Sequence, residues 1–402
     1  MKRITLLIST EQDREDPPLT ESPIQEPAEE RYFELIEQPK FLIGSVAKML
    51  RVNDHVVRDS INLMGLDLQR DDSKRKARLF SAENVFDIAN FRRNRGLLSW
   101  DSPPATVVVY SAKGGVGKTT LAAELAVQWG FRGLRVLAID LDTQGNLTQM
   151  MGYDPELEQD EEMPIDSRQL VEHNFGSLFT IPPILPTPTP LADVLKMPYG
   201  VNGPHLIPSD VTLANLEDAL LNAQVRDFQV LRLLQRGLTK PTPQFDLTHY
   251  DIILFDAPPS TSMLTNTTLL ASDLCISPVA LDALSFKGLS ILGGRLINMR
   301  EQVGRAPAVV AVPTFHRENR RRVTKVMERL NTYYGEILSQ NMVRETEEFK
   351  RSNVDVEMPI SLAFPGSKTA VPDLQNLADE MLSRIKSIMG TTNRETGGLD
   401  HA

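Results

Sequence analysis

Short runs of β-branched and aliphatic residues recur along the chain, at 106–110, 135–139, 251–255, 274–277 and 308–312. A run that is apolar at consecutive positions predicts a strand buried on both faces, as in a parallel sheet. Between these runs the apolar spacing changes to three and four residues, as over 119–131 and 286–303. Strands alternating with helices predict βαβ units, and hence an α/β fold with a mostly parallel, doubly wound sheet. Residues 31–95 carry shorter helical patterns with interspersed basic residues, and Pro103 and Pro104 mark a boundary where a helix cannot continue. Residues 153–205 hold an acidic stretch and many prolines, which predicts a long surface insertion. The last helical pattern, 377–389, is followed by polar residues. The expected organisation is an acidic arm at 1–38, an α-rich module at 39–98, an α/β domain at 105–390 and a polar tail at 391–402.

The 402 residues are 41% hydrophobic and 24% charged, the balance of a water-exposed globular chain of two or three domains. No apolar run approaches the roughly 18 residues that span a bilayer, which argues against an integral membrane protein. The first ten residues lack the long apolar region of a signal peptide. Cys275 is the single cysteine, so an internal disulfide, an all-cysteine iron–sulfur cluster and a cysteine zinc site are excluded. The net charge of −10 is unevenly placed. Residues 11–38 carry −8 and residues 151–166 carry −7, while 40–95 hold twelve bases against seven acids and 315–330 six against two. The acidic total therefore leaves room for contact with nucleic acid through two basic blocks.

The segment Lys113-Gly-Gly-Val-Gly-Lys-Thr-Thr120 follows one predicted strand and opens a helix. That is the context of a phosphate-binding loop. Glycines let backbone N–H groups turn inward around an oxyanion, and the helix N-terminus adds favourable dipole. Gly114, Gly115, Val116, Gly117, Thr119 and Thr120 would form the cradle. Lys118 would reach the β- and γ-phosphates of a nucleotide, and the Thr119 hydroxyl would bind magnesium. Two further strands end in carboxylates. Asp140 and Asp142 are two residues apart, so they point to one side of a strand. There a carboxylate can hold magnesium through water, or orient and deprotonate an attacking water. Asp256, at the end of 252–256 and before Pro258 and Pro259, has the placement of a second magnesium carboxylate.

The phosphate loop departs from the usual form, with Ala112 at the first glycine position and an added Lys113. It resembles the deviant phosphate loop, K-G-G-x-G-K-[ST], of the ParA/MinD family of dimeric ATPases. The segment Asp140-Leu-Asp-Thr-Gln-Gly-Asn146 is similar to that family's D-x-D-P-Q-G-N, with Thr143 in place of proline, and 252–259 is similar to its second carboxylate motif. The resemblance spans about 105–390. It implies an ATP-sandwich homodimer in which Lys113 acts on the partner's nucleotide, Asp142 activates water and Asp140 lies near the metal. It also implies that Pro313 and Thr314 flank the adenine, although a plain turn would explain that pair. Cysteine-dependent members are excluded by Cys275 standing alone, and a terminal amphipathic membrane helix is not evident after residue 389.

Residues 45–59 have the spacing of a helix–turn–helix, with Val46, Ala47 and Leu50 on one face and Val56, Val57 and Ile61 on a second helix. The second helix would present His55 and Arg58 to a DNA groove, with Ser45 on the first. The basic stretch 70–78, including Lys74 and Arg75, would be the wing of a MerR-like winged helix, with Arg51 where many such turns have glycine. A dimerisation bundle with a solvated basic face is the competing reading. A second basic stripe, Arg317, Arg320, Arg321 and Lys325, has helical spacing suited to DNA phosphates, or to a solvated face. A long ParA-type chain with this leader resembles plasmid partition ATPases that also repress their own operon. The resemblance implies ATP, ADP and magnesium as cofactors. It implies nonspecific DNA binding with ATP, operator binding with ADP, and a centromere-binding ParB-like partner. A cytoplasmic, nucleoid-associated protein without membrane attachment is expected. A nucleotide-switched repressor without a segregation role, or a membrane-surface positioning ATPase, is the alternative.

Overall fold

The structure is a computed structural model that describes residues 39–71, 76–97, 100, 102–158, 168–281, 285–316, 321–351 and 358–397. The acidic arm at 1–38, Lys74, Arg75, Arg317 and Arg320 lie outside the described residues. Among those described, seven strands form one parallel sheet: β1 (Ala105–Val109), β2 (Val136–Asp140), β3 (His205–Ile207), β4 (Ile252–Asp256), β5 (Leu274–Ala280), β6 (Ala308–His316) and β7 (Val343–Arg344). Their order is β3-β2-β4-β1-β5-β6-β7. The five apolar runs supply β1, β2, β4, β5 and β6, and β1, β2 and β4 are buried along their whole length. β3 and β7 are three and two residues long, too short to stand out as apolar runs.

In chain order the helices are α1 (Ile43–Met49), α2 (Asp54–Met64), α3 (Ala82–Asn94), α4 (Lys118–Phe131), α5 (Asn146–Met150), α6 (Leu191–Val194), α7 (Ala214–Asn222) and α8 (Gln229–Thr239). They continue with α9 (Met263–Ala271), α10 (Ser285–Val303), α11 (Arg321–Tyr334), α12 (Glu347–Arg351), α13 (Ile360–Ala363) and α14 (Ala370–Gly397). One core joins α4, α14 and the N-terminal helices on one side of the sheet. A second core joins α7, α8 and α9 on the other. Of the expected surface insertion at 153–205, the described residues 153–158 and 168–205 are not all at the surface. Phe175, Leu178, Phe179, Ile181, Leu191 and Val194 are buried in the second core, and the Phe175 ring meets Phe255 of β4 edge-on at 5.7 Å. Their irregular spacing hides this burial from any periodicity.

α4 is buried on nearly every side, and Glu124 and Gln128 in its middle both reach Ser361. Glu124 accepts hydrogen bonds from the backbone N–H groups of Ile360 and Ser361 and from the Ser361 hydroxyl. Gln128 donates to Ser361 Oγ at 2.7 Å. These bonds fix α13 against α4. Burial pushes the Glu124 carboxyl from 4.5 up to about 7, even though the three donors favour its charged form. A raised carboxyl means the native chain holds a proton that the unfolded chain has released. Stability from this group is thus complete below about 4.5 and lost as pH climbs through about 7. Urea unfolding of nucleotide-free protein at pH 5 and 7.5 should show wild type losing about 2 kcal/mol more than Glu124→Gln over that interval. Parallel pH slopes in the two proteins would show that Glu124 titrates normally.

The N-terminal module packs directly on this core. Arg51, between α1 and α2, takes a left-handed φ of +52°, the conformation that glycine commonly supplies in such turns. After α2, Arg70 and Arg78 form an antiparallel bridge, with Asp71 N donating to Ala77 O and Leu79 N to Gln69 O, both at 2.9 Å. Ser81 and Asn84 then cap α3 reciprocally. The Phe86 ring of α3 stacks on Phe131 at 5.1 Å and on Tyr199 at 5.5 Å. A side chain at Gly130 would come within 2.7 Å of that ring, so glycine permits the approach. Arg93 of α3 and Arg135 pair with Asp251 at the start of β4. Burial opposes the charge on Asp251, but the hydrogen bonds from both arginines outweigh it and hold the carboxyl below its ordinary value. Arg51 and Arg132 both pair with Asp379 of α14, and Gln375 donates to Lys48 O at 3.1 Å.

Candidate functional site

The site lies at the carboxyl edge of β1, β2 and β4. β1 sits between β4 and β5, where the chain's strand order reverses, the usual place for a ligand crevice in such sheets. β1 runs into loop 113–117, and α4 starts at Lys118 with no side chain capping its first turn. Gly117, at the cap position, has φ +84°, and Gly115 has φ +68°. These angles are open to glycine and strained for other residues. The uncapped N–H groups and the helix dipole make a cradle for an anion. Gly114 and Gly115 are exposed at the mouth, whereas Val116 is buried.

Lys118 is buried, and its Nζ lies 3.4 Å from Lys113 O. Burial lowers its pKa, opposed by the nearby charges of Asp256 and Asp142. Asp256 ends β4 directly beside Asp140, its register partner on β2. It is buried, and neither of its carboxylate oxygens has a well-formed hydrogen bond, although the Thr119 hydroxyl faces it. Burial, then the Asp140 charge, raises its pKa well above the ordinary value. A buried carboxylate without a well-formed hydrogen bond costs stability, and a cation beside it would relieve that cost. Asp256 and the Thr119 hydroxyl offer the hard oxygen donors that magnesium prefers.

Asp140 is placed differently from its expected metal role. Its Oδ1 accepts the Asp142 N–H at 3.1 Å, and its Oδ2 accepts the Thr148 N–H at 2.9 Å and the Thr148 hydroxyl at 2.8 Å. Burial raises its pKa to about 6 despite these bonds. With both oxygens engaged, Asp140 organises the 142–148 turn rather than standing open to a metal. The Thr148 hydroxyl also accepts the Ser209 N–H at 2.9 Å, which ties this turn to the end of β3. Asp142 is half-exposed, and its Oδ1 accepts the Gln144 N–H at 3.1 Å. The structure thus brings Lys118, Asp142 and Asp256 together, with Thr119 alongside. Lys113 is half-exposed at the loop entrance, and Thr120 is buried.

Pro313 and Thr314 lie within β6, which runs on to His316 rather than ending in a turn. The Thr314 hydroxyl donates to Val116 O at 2.8 Å, so this pair braces the phosphate loop. Phe315, which no sequence motif marked, has φ +51° and lies against Gly117. Only its direct sequence neighbourhood to Thr314 hinted at it. Of the expected DNA-facing residues, His55 and Arg58 are exposed on α2, and Arg58 lies 4.0 Å from Asp54. Ser45 is half-buried on α1. Lys325 is exposed on α11, which Arg321 begins.

The AAA_31 family model, described as an AAA domain, matches residues 105–306, half of the chain. The chain belongs to this family, of ParA/MinD-type P-loop ATPases. The cell division protein PomZ of Myxococcus xanthus is 30% identical over 275 residues, covering 68% of this chain and 76% of PomZ. Among solved structures, cobyrinic acid a,c-diamide synthase of Mycobacterium smegmatis, with bound ATP analogue and magnesium, shares the fold at a TM-score of 0.54 and 23% identity. It covers 71% of this chain and 96% of its own. A structure described as a partition protein also aligns at 0.54, with 19% identity, over 90% of this chain and 96% of its own. Residues 105–402 alone cannot supply 90% of the chain, so that likeness of fold extends into the N-terminal module. No described helix of this ATPase-family chain is long and apolar enough to cross a membrane.

Proposed function

We propose that this chain is a partition ATPase that binds ATP with magnesium, pairs with a second copy, and holds DNA until hydrolysis. The observation that carries this reading is the uncapped, glycine-turned N-terminus of α4 beside Lys118 and the unpartnered carboxylate of Asp256. Loop N–H groups and Lys118 bind the phosphates. Thr119 and, through water, Asp256 hold magnesium, which supplies charge neutralisation on the phosphate oxygens. Asp142 orients the attacking water and takes its proton. Lys113 reaches the nucleotide of the partner copy. The likeness in fold to a partition protein and the sequence likeness to PomZ support a role in segregating or positioning cellular cargo. We assign nonspecific DNA contact to the segment around Lys325, and operator contact and self-repression to α2 and the basic stretch 70–78 after it. A ParB-like centromere-binding protein would stimulate turnover.

The test is retention of arbitrary-sequence DNA with ATP, ADP or no nucleotide. Wild type should hold DNA with ATP and release it as ATP is consumed. Asp142→Ala should bind ATP within about threefold of wild type and lose about 100-fold in turnover, because Asp142 acts on water and not on the nucleotide. It should therefore stay on DNA. DNA binding that is equal with ATP, with ADP and without nucleotide would sink the partition reading. An equal loss of ATP affinity and turnover in Asp142→Ala would move Asp142 into the binding shell. A second reading, a nucleotide-switched repressor, is favoured by the tie of the α1–α2 turn to α14 through Arg51 and Asp379. It would show operator binding that depends on nucleotide without any ATP-dependent hold on bulk DNA.

A further inference from the structure

The tip of β6 carries an irregularity whose outlying residue packs between the core and the phosphate loop. β6 runs parallel to β5 in unbroken register up to Thr314, opposite Ala280. Against β7 the register shifts between Thr314 and His316, and the residue between them, Phe315, has φ +51°. A bulky residue in the left-handed region is a rare, strained arrangement that its surroundings must hold in place. Here the strain turns the ring onto the phosphate loop. A Cβ built on Gly117 would lie 2.0 Å from Phe315 Cε2 and 2.6 Å from Cζ, so the ring rests on the glycine with no space between. From behind, the ring meets buried Phe349 of α12 edge-on, with centroids 4.9 Å apart. The preceding residue grips the same loop, through the Thr314 hydroxyl on Val116 O.

From this geometry we infer that Phe315, with Thr314, is a positioning residue for nucleotide binding. It holds 116–117 in the conformation whose N–H groups face the phosphates, and it acts through the loop without touching the ligand. Two constraints meet at adjacent residues. Thr314 ties down the Val116 carbonyl, and the ring denies Gly117 the freedom that φ +84° otherwise gives it. A glycine-rich loop left free must be ordered by its ligand, at a cost in affinity, whereas a braced loop is already in its binding shape. Because the brace precedes chemistry, it should appear in nucleotide affinity and KM rather than in kcat. This inference rests on the proposed binding of ATP at loop 113–120.

The experiment compares full-length wild type, Phe315→Ala, Phe315→Gly and Thr314→Val. Deuterium uptake is measured across the chain without nucleotide, and affinities for fluorescent ATP and ADP analogues are measured with magnesium. Phe315→Ala should raise uptake at 113–120 and weaken ATP and ADP alike by about tenfold, with kcat at saturating ATP within about twofold. Thr314→Val should move the same quantities in the same direction. Phe315→Gly relieves the left-handed strain yet lacks the ring, so it should share the defect. If Phe315→Gly instead matches wild type, backbone conformation and not the ring sets the loop, and the inference fails. It fails too if uptake rises throughout β5, β6 and α12, since that is general loosening, or if affinity and loop uptake do not change. Absence of ATP binding by wild type would overturn the proposed function, while loop uptake in the variants would still decide whether the brace exists.

Discussion

Replacing Lys118 with alanine is expected to abolish measurable ATP binding, a loss of at least about 100-fold, or roughly 3 kcal/mol. The figure follows from what the side chain does and where it sits. A charge-assisted contact contributes about 1.5–3 kcal/mol, and an amine meeting two phosphates makes more than one. Lys118 is already buried in the loop, so its desolvation is met on folding and not on binding. It is also the cation nearest in effect to Asp256, whose carboxyl it draws downward against burial. Alanine removes that counter-charge and leaves the phosphates facing Asp142 and Asp256 alone. Lys118→Arg keeps the charge but asks a buried, close-fitting site to take a wider planar group, and it should lose most of the affinity as well. Titration with a fluorescent ATP analogue and magnesium measures both. Binding within threefold of wild type in Lys118→Ala would show that the loop amides alone hold the phosphates.

Much of the fold was legible because β1, β2 and β4 are buried on both faces and so leave uninterrupted apolar runs. The phosphate loop was legible because its chemistry is contiguous: glycines, lysine and hydroxyl must follow one another. β3 and β7 were hidden, since strands this short carry no pattern. The burial of Phe175, Leu178, Phe179, Ile181, Leu191 and Val194 was hidden because prolines break any period there. The docking of the N-terminal module was out of reach for another reason. It depends on pairs such as Arg51 with Asp379, 328 residues apart, and each partner alone reads as a solvated charge. The role of Asp140 shifted on similar grounds. In the sequence it is one of two carboxylates near a metal, whereas its engagement by Thr148 depends on how the 142–148 turn folds back. Phe315 was invisible because its part depends on a backbone angle that phenylalanine does not favour.

The docked N-terminal module joins the proposed nucleotide and DNA surfaces through one contiguous path. α4 begins at Lys118 in the phosphate loop and ends at Phe131, whose ring stacks on Phe86 of α3. Arg132, the next residue, pairs with the same Asp379 that holds Arg51. This buried helix therefore has the phosphate loop at one end, and at the other it packs on α3 and, through Asp379, is linked to the turn that precedes α2, the helix that carries His55 and Arg58. Contiguity of this kind permits coupling without demonstrating it.

Asp256→Asn should give opposite results with and without nucleotide. Without it, wild type buries a carboxylate that has no well-formed hydrogen bond and stands beside Asp140, and both its burial and that neighbour disfavour the charge. Asparagine keeps the shape and removes the charge, so the variant should be more stable by about 1–2 kcal/mol near neutral pH. The sign of the pH dependence follows. A carboxyl whose native pKa is raised stabilises the fold while protonated, and that contribution is lost as pH rises through the native value. Asparagine does not titrate, so its advantage should be larger at pH 8 than at pH 6. With magnesium and ATP the order should reverse. Wild type gains stability as RT ln(1 + [L]/Kd), whereas the variant, lacking the charge proposed to hold the cation, gains less. Its turnover should fall by about 100-fold or more. Thermal unfolding at the two pH values, each with and without magnesium and ATP, decides the matter. A variant less stable than wild type at pH 8 without nucleotide would mean that Lys118 and Thr119 already compensate Asp256 in the empty site, and that the carboxylate is a structural ion pair rather than a waiting metal ligand.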